Sequence, residues 1–254
     1  MGHTITPNMT STATIQWQSA MLTHKGNVRE YNEDALLVLD DPSLWVVADG
    51  MGGHQAGDVA SNLIMEGLKS LSSATHLSEF VDNIEDKLIQ VNRELRTLAK
   101  KQYNNQTIGS TVVTMTAKDH FIAYLWAGDS RLYRIRDQQI TSLTTDHSEV
   151  QHLINQGLLL PEDAESHPSA NVITRAIGAT DNLYLSIGVE KIKHDDIYIL
   201  CSDGLYRDIK EDEIVSLSQQ SNIDKIGDDI MSLALSREAR DNITLVIAKC
   251  NVID

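Results

Sequence analysis

The chain has 254 residues, 41% hydrophobic and 22% charged, with a formal net charge of −15 from 21 Lys plus Arg against 36 Asp plus Glu. That acidic balance argues against nucleic acid or an anionic membrane as a partner. Two cysteines, Cys201 and Cys250, form no disulfide framework and point to a reducing compartment.

No run of about eighteen apolar residues occurs, and the polar start from Met1 to Ser19 lacks the apolar centre of a signal peptide. The expectation is a cytoplasmic monomer without stable membrane insertion, built as a polar tail (1–14) and one domain (15–254). Met1-Gly2-His3-Thr4-Ile5-Thr6 fits the loose myristoylation pattern at Gly2, but no basic cluster follows it to strengthen anchoring.

In chain order, Ile15 to Met21 and Ala35 to Leu39 read as strands, with Lys25-Gly26-Asn27 as the turn between them. Leu44 to Ala48 is a buried strand running into Asp49, and Gly50-Met51-Gly52-Gly53-His54 joins it to a helix that continues to about Leu71. From Ser78 to Lys101 the residues Val81, Ile84, Leu88, Val91, Leu95 and Leu98 recur at steps of three and four, the mark of an amphipathic helix. Thr111 to Thr116, His120 to Ala127 and Arg131 to Ile135 read as a meander, with Asp129 at its second turn. Between 148 and 174 the pattern weakens to one short helix around Val150 to Ile154, stopped by Gly157. A strand at Ile197 to Cys201, helices around Glu211 to Leu217 and Ile223 to Leu235, and a strand at Ile243 to Lys249 complete the order. Grouped strands with paired helices favour packed sheets over alternating βαβ units.

Five acidic motifs punctuate these elements: Asn32-Glu33-Asp34, Ala48-Asp49-Gly50, Gly128-Asp129-Ser130, Ser202-Asp203-Gly204 and Asp241-Asn242. Asp-Gly and Asp-Asn are ordinary turn formers. Yet three buried strands each deliver a carboxylate, and strand ends are rigid enough to aim short carboxylates at one point, where Mg²⁺ or Mn²⁺ prefers oxygen ligands.

In order, the chain carries Arg-x-x-Asn-Glu-Asp, Ala-Asp-Gly-x-Gly-Gly-His, Ala-Gly-Asp-Ser-Arg, Asp-His-Ser, Ile-Thr-Arg-Ala-Ile-Gly, Ser-Asp-Gly-Leu and Asp-Asn-Ile-Thr. It resembles the metal-dependent serine/threonine protein phosphatases, the protein phosphatase 2C-like family, in its compact bacterial form. The resemblance spans Leu22 to Ile247. It implies an α+β fold, a four-layer α-β-β-α sandwich of two mainly antiparallel sheets flanked by helix pairs, with a flap at about 148–174. It also implies hydrolysis of phosphoserine and phosphothreonine on proteins, in opposition to a cognate serine/threonine kinase.

Residue by residue, the resemblance makes Asp49 the bridge between two Mn²⁺ or Mg²⁺ ions, gives the Gly50 carbonyl to one ion, and gives Asp203 and Asp241 to the other. Asp129 would serve a weaker third ion, with Asp203 shared. Glu33 and Asp34 would orient water, Arg29 would hold the phosphate and His54 would act as general acid. A pair of ions about 3.5–4 Å apart generates a hydroxide nucleophile at neutral pH and offsets phosphoryl charge. A guanidinium fork suits the phosphate, and a histidine suits protonation of an alkoxide leaving group. Ser130, Arg131, Thr174, Arg175 and Asn242 read as supports, His147 as structural. With no arginine between 148 and 174, no second phosphate pocket is expected on the flap.

Two other readings compete. Cys201 and Arg207 satisfy the Cys-x-x-x-x-x-Arg spacing of cysteine-dependent phosphatases, although Asp203 would then sit inside the anion cradle. A catalytically inactive phosphoprotein-binding domain is the second; degenerate motifs would mark it, and here Arg29, Asp49, Asp203 and Asp241 are all present.

Overall fold

Strict alternation of side chains along the strands sorts the apolar residues into three layers of core, and the order of elements shows how. The structure, a computed structural model, describes residues 14–52, 56–104 and 106–253. Along the chain these form β1 (Thr14–His24), β2 (Asp34–Leu39), β3 (Leu44–Met51), α1 (Ala56–Lys69), α2 (Leu77–Gln102), β4 (Gly109–Ser110), β5 (Val112–Lys118), β6 (Phe121–Ala127), β7 (Arg131–Arg136) and β8 (Gln139–Ser142). Then come α3 (Glu149–Asn155), a 3₁₀ turn at Pro161–Asp163, β9 (Ser186–Lys191), β10 (Ile197–Cys201), α4 (Asp203–Tyr206), α5 (Glu211–Leu217), α6 (Ile223–Leu235) and β11 (Ile243–Ile253).

One sheet has the order β1-β11-β10-β7-β8, the other β2-β3-β5-β6-β9 with β4 beside β3, and their ladders are antiparallel. Trp45, Val47, Val113, Met115 and Ile122 face Leu132, Tyr198, Leu200, Val246 and Ala248 between the sheets. On the outer side of the second sheet, Leu44, Val46 and Ala48 pack on Ala60, Ile64 and Leu68 of α1 and on Ile84, Leu88 and Leu95 of α2. On the outer side of the first, Ile199, Cys201, Leu245 and Ile247 meet Leu205, Ile214, Ile226 and Ile230. The result is the four-layer α-β-β-α sandwich, with period-two strands making three apolar interfaces from two sheets.

The elements expected from the sequence are present, with three additional strands, the short helix α4 and the 3₁₀ turn among the described residues. The strands β4, β8 and β9 lacked a clear signal: β4 is two residues long, β8 is a mostly exposed polar run, and β9 carries Gly188 and two charges in six residues. The terminal strands are longer than expected because β1 and β11 pair in register from Thr14↔Ile253 to His24↔Ile243, which carries their polar ends along. The flap region contains α3, closed by Gly157 at φ 70°, and the short Pro161 turn. No helix among the described residues is long and apolar enough to cross a membrane.

The buried face of α2 runs through Phe80, Ile84, Leu88, Val91, Leu95 and Ala99, leaving Val81 and Leu98 at its margin. Removing a fully buried leucine here leaves a cavity between helix and sheet. Leu95→Ala is therefore expected to cost about 2–5 kcal/mol in urea unfolding, and Leu98→Ala less than half as much. Equal costs would contradict this facing of α2.

Candidate active site

Strand parity carries the acidic residues to one end of the layer between the sheets. On β3, Asp49 follows the parity of Trp45 and Val47, and on β2, Asp34 follows that of Leu36 and Val38, both of which pack in the inter-sheet core. The two aspartates stand opposite each other in the ladder. Asp203 opens α4 directly after β10, Asp129 sits between β6 and β7, and Asp241 precedes β11. Asp34, Asp129 and Asp203 are buried, whereas Asp49 and Asp241 are partly exposed.

Gathering carboxylates in a water-poor place raises their affinity for protons. Burial, with two hydrogen bonds opposing it, pushes Asp34 up to about 7. Burial and then the charge of Asp203 take Asp129 to about 7 as well. Asp49 is raised well above the ordinary range by burial and by Asp34, Asp203, Asp129 and Asp241 together. Asp203 is also raised, chiefly by burial.

The donor set fits hard divalent cations. One oxygen each of Asp34, Asp129 and Asp203 is buried with no hydrogen-bond partner. Such orphaned carboxylate oxygens are costly unless a cation or proton meets them. No group of three or more His, Cys, Asp or Glu side chains among the described residues is already drawn together as metal ligands. Arginines pair with two of the carboxylates: Arg29 Nη2 lies 2.9 Å from Asp241 Oδ2, and Arg207 Nη2 lies 2.7 Å from Asp203 Oδ2.

A polar scaffold fixes these positions. The Asn242 side chain accepts from the Glu33 backbone N–H at 2.8 Å and donates to the carbonyls of Lys25 and Tyr31, tying the loop that bears Arg29 to the strand after Asp241. Gly26, at φ 76°, lets that loop come within van der Waals contact of Asp241, since a Cβ would fall 2.1 Å from the Asp241 carbonyl oxygen. The Ser202 hydroxyl donates to Asp34 Oδ2 at 2.8 Å and accepts from the Thr244 N–H. Ser130 pairs with the Thr111 hydroxyl at 2.6 Å, and that hydroxyl accepts from the Asp49 N–H.

Glu33 lies near Arg29 and Asp241 and also has a structural contact. Its carboxylate accepts from the Gly57 N–H at the start of α1, and its backbone carbonyl accepts from Gly50 N–H and Ser61 Oγ. It clamps Gly50 to the helix. His54 lies outside the described residues. Ser110, Thr111, Ser202 and Tyr206 were not singled out from sequence, because hydroxyls acting on backbone or through a second side chain leave no spacing pattern.

A cavity of about 590 Å³ opens beside the carboxylates, walled by Arg29, Asp129, Arg207 and Asp241 on one side and by Ser148, Glu165 and Asn171 of the flap region on the other. The flap is hinged by His147, whose backbone bonds both Gly128 and Thr174 and whose ring stacks on Trp126. Arg175 reaches the His147 ring and Ser186, away from the carboxylates. Arg131 makes a two-pronged bond to Asp146, at 2.9 and 2.7 Å, and its guanidinium lies 3.6 Å from the Tyr206 ring centroid.

The cysteine-dependent reading fails on position. Cys201 is fully buried, on the helix side of β10, burial pushes its thiol up to about 12, and Arg207 is committed to Asp203.

Two outcomes follow from this geometry. Asn242→Ala removes three hydrogen bonds that anchor the Arg29 loop, and is expected to cost about 1–3 kcal/mol in thermal unfolding and to raise KM more than it lowers kcat. The proton affinities give a second. Carboxylates raised from 3.8 to about 7 in the fold stabilise it below pH 4 and lose that contribution as pH rises through 7. Bound cations displace those protons, so the gain in Tm from Mn²⁺ should be larger at pH 8 than at pH 5.5; equal gains would count against a metal among these groups.

With this geometry in hand, comparisons with known proteins place the chain. The family described as Protein phosphatase 2C matches residues 24–244. Serine/threonine phosphatase stp of Listeria welshimeri is 30% identical over 239 residues, which cover 91% of this chain and 95% of that protein. Among solved structures, PppA, described as a key regulatory component of the T6SS in Pseudomonas aeruginosa, aligns with a TM-score of 0.85 at 37% identity, over 93% of this chain and 98% of that one. The catalytic domain of the serine/threonine phosphatase PstP, in complex with two manganese ions, aligns with a TM-score of 0.84 at 28% identity, over 95% and 100%. The chain belongs to the protein phosphatase 2C-like family of metal-dependent serine/threonine phosphatases.

Proposed function

We propose that this phosphatase removes phosphate from phosphoserine and phosphothreonine of proteins in the cytoplasm, reversing the action of a serine/threonine kinase. The observation that supports this most is the convergence of five carboxylates, three with an orphaned buried oxygen, beside Arg29 at the mouth of a cavity of about 590 Å³. An acidic pocket of this kind repels a phosphate unless cations are bound. Asp49, the Gly50 carbonyl, Asp203 and Asp241 would hold two Mn²⁺ or Mg²⁺ ions. When bound, such ions acidify water and neutralise charge on a phosphoryl group.

The chain's own residues then divide the work. Arg29 is exposed and only its Nη2 is engaged among the described residues, so the rest of its fork is available to the phosphate oxygens. Asp34 is held on Ser202, where it would orient water beside the bound ions. His54, next to the glycine loop after Asp49, is assigned proton donation to the serine or threonine oxygen as it leaves. The cavity wall of Glu165 and Asn171 would meet the protein flanking the phosphorylated residue.

The inactive-binding reading has no support in a site that retains every carboxylate. The test is turnover of phosphoserine and phosphothreonine peptides with Mn²⁺, Mg²⁺ or chelator. Chelator and Asp49→Asn should each abolish it, and thiol alkylation should spare it; turnover that survives chelation overturns the proposal. His54→Gln should slow peptide hydrolysis by about 10²–10⁴-fold yet affect p-nitrophenyl phosphate little, because nitrophenolate leaves without a proton.

A further inference from the structure

We propose that Arg207 is a built-in cation that takes the position of the third, weaker ion implied by the family, so that this phosphatase works with two ions. The inference rests on the metal-dependent reading above and concerns how one end of that site is charged.

Asp129 and Asp203 are the two carboxylates such a third ion would share. Both are buried, and each leaves one carboxylate oxygen without a hydrogen-bond partner. Arg207 stands between them: the same nitrogen, Nη2, lies 2.7 Å from Asp203 Oδ2 and 4.0 Å from Asp129 Oδ2. One guanidinium thus contacts Asp203 directly and places its charge 4.0 Å from Asp129, whose Oδ1 it leaves unpartnered.

The placement is built in by the local fold. Arg207 follows Asp203 by four residues, its backbone N–H continuing the turn of α4 to the Asp203 carbonyl at 3.1 Å, so the side chain returns over the aspartate one turn earlier. Its neighbour Tyr206 donates to the Asp129 backbone carbonyl at 3.1 Å and is itself covered by Arg131. Tyr206 therefore holds the main chain of Asp129 while Arg207 meets its carboxylate. Arg207 is one-third exposed, and Asp203 beneath it is buried.

Because Arg207 engages Oδ2 of Asp203, Oδ1 of that residue is left without a partner and remains free for the two-ion centre. A divalent ion entering between Asp129 and Asp203 would meet a fixed positive charge and would have to displace it. The two-ion centre and the third position are thereby separated by one residue, and that residue can be removed without touching a metal ligand.

The experiment counts bound Mn²⁺ by equilibrium dialysis, with Mn²⁺ electron paramagnetic resonance as a second readout, on the full chain. The wild type should saturate at two ions. Arg207→Gln should bind a third, its affinity for that ion rising by on the order of tenfold or more once the opposing charge is gone. The double variant Arg207→Gln with Asp129→Asn should return to two. Asp129→Asn alone should leave the wild-type count at two, which keeps the test decisive even where Arg207→Gln fails to fold. A wild type that binds three ions, or the same count with and without Arg207, overturns the proposal. Absence of Mn²⁺ binding and of Mn²⁺-dependent turnover in every form would instead bring down the metal-dependent reading, and this inference with it.

Discussion

Repulsion among five carboxylates at one end of the inter-sheet layer is the constraint around which this molecule is arranged. In a water-poor setting, each aspartate raises the proton affinity of the others, and Asp49, nearest the centre of the set, feels all four. Left uncompensated, that charge would work against the packing of the two sheets. The fold withstands it because the carboxylates are carried by strand ends whose apolar stems, Trp45 and Val47 on one sheet and Leu200 and Val246 on the other, are locked in the same core layer.

Compensation is divided among groups of different chemistry. Arginines meet the outer members, Arg29 at Asp241 and Arg207 at Asp203, while a hydroxyl meets Asp34. The unmatched oxygens point to the positions where divalent cations belong. Binding there is coupled to proton release, since ligands must be ionised, so metal, pH and stability form one linked equilibrium in this protein.

Much of this was readable from the chain alone because its signals are local. The unbroken apolar run Leu44-Trp45-Val46-Val47-Ala48 gave a buried strand and the aspartate that follows, and the three-four rhythm from Val81 to Leu98 gave α2. Grouped strands and paired helices gave the layers. The parts that stayed hidden depend on partners far apart in sequence. Asn242 matters through Glu33, Lys25 and Tyr31, more than 200 residues away. Glu33 reads from sequence as a site carboxylate, and its bond to Gly57 N–H adds a structural task that the sequence does not show. Arg207 was noticed only for its spacing from Cys201, whereas its significance comes from Asp203 in its own turn and from Asp129 across the sheets.

Three consecutive residues at the end of β10 lead into three different surroundings: Cys201 into the helix-side core, Ser202 into the bond that holds Asp34, and Asp203 into the ion pair with Arg207. The thiol is thus two residues from the chemistry and on the opposite side of the sheet from it. Cys250 is likewise buried, with its thiol donating to the Lys193 carbonyl and its proton affinity pushed up to about 12. Neither sulfur forms a thiolate that peroxide could attack. The acidic cleft therefore depends on neither thiol, unlike the site of a cysteine-dependent phosphatase.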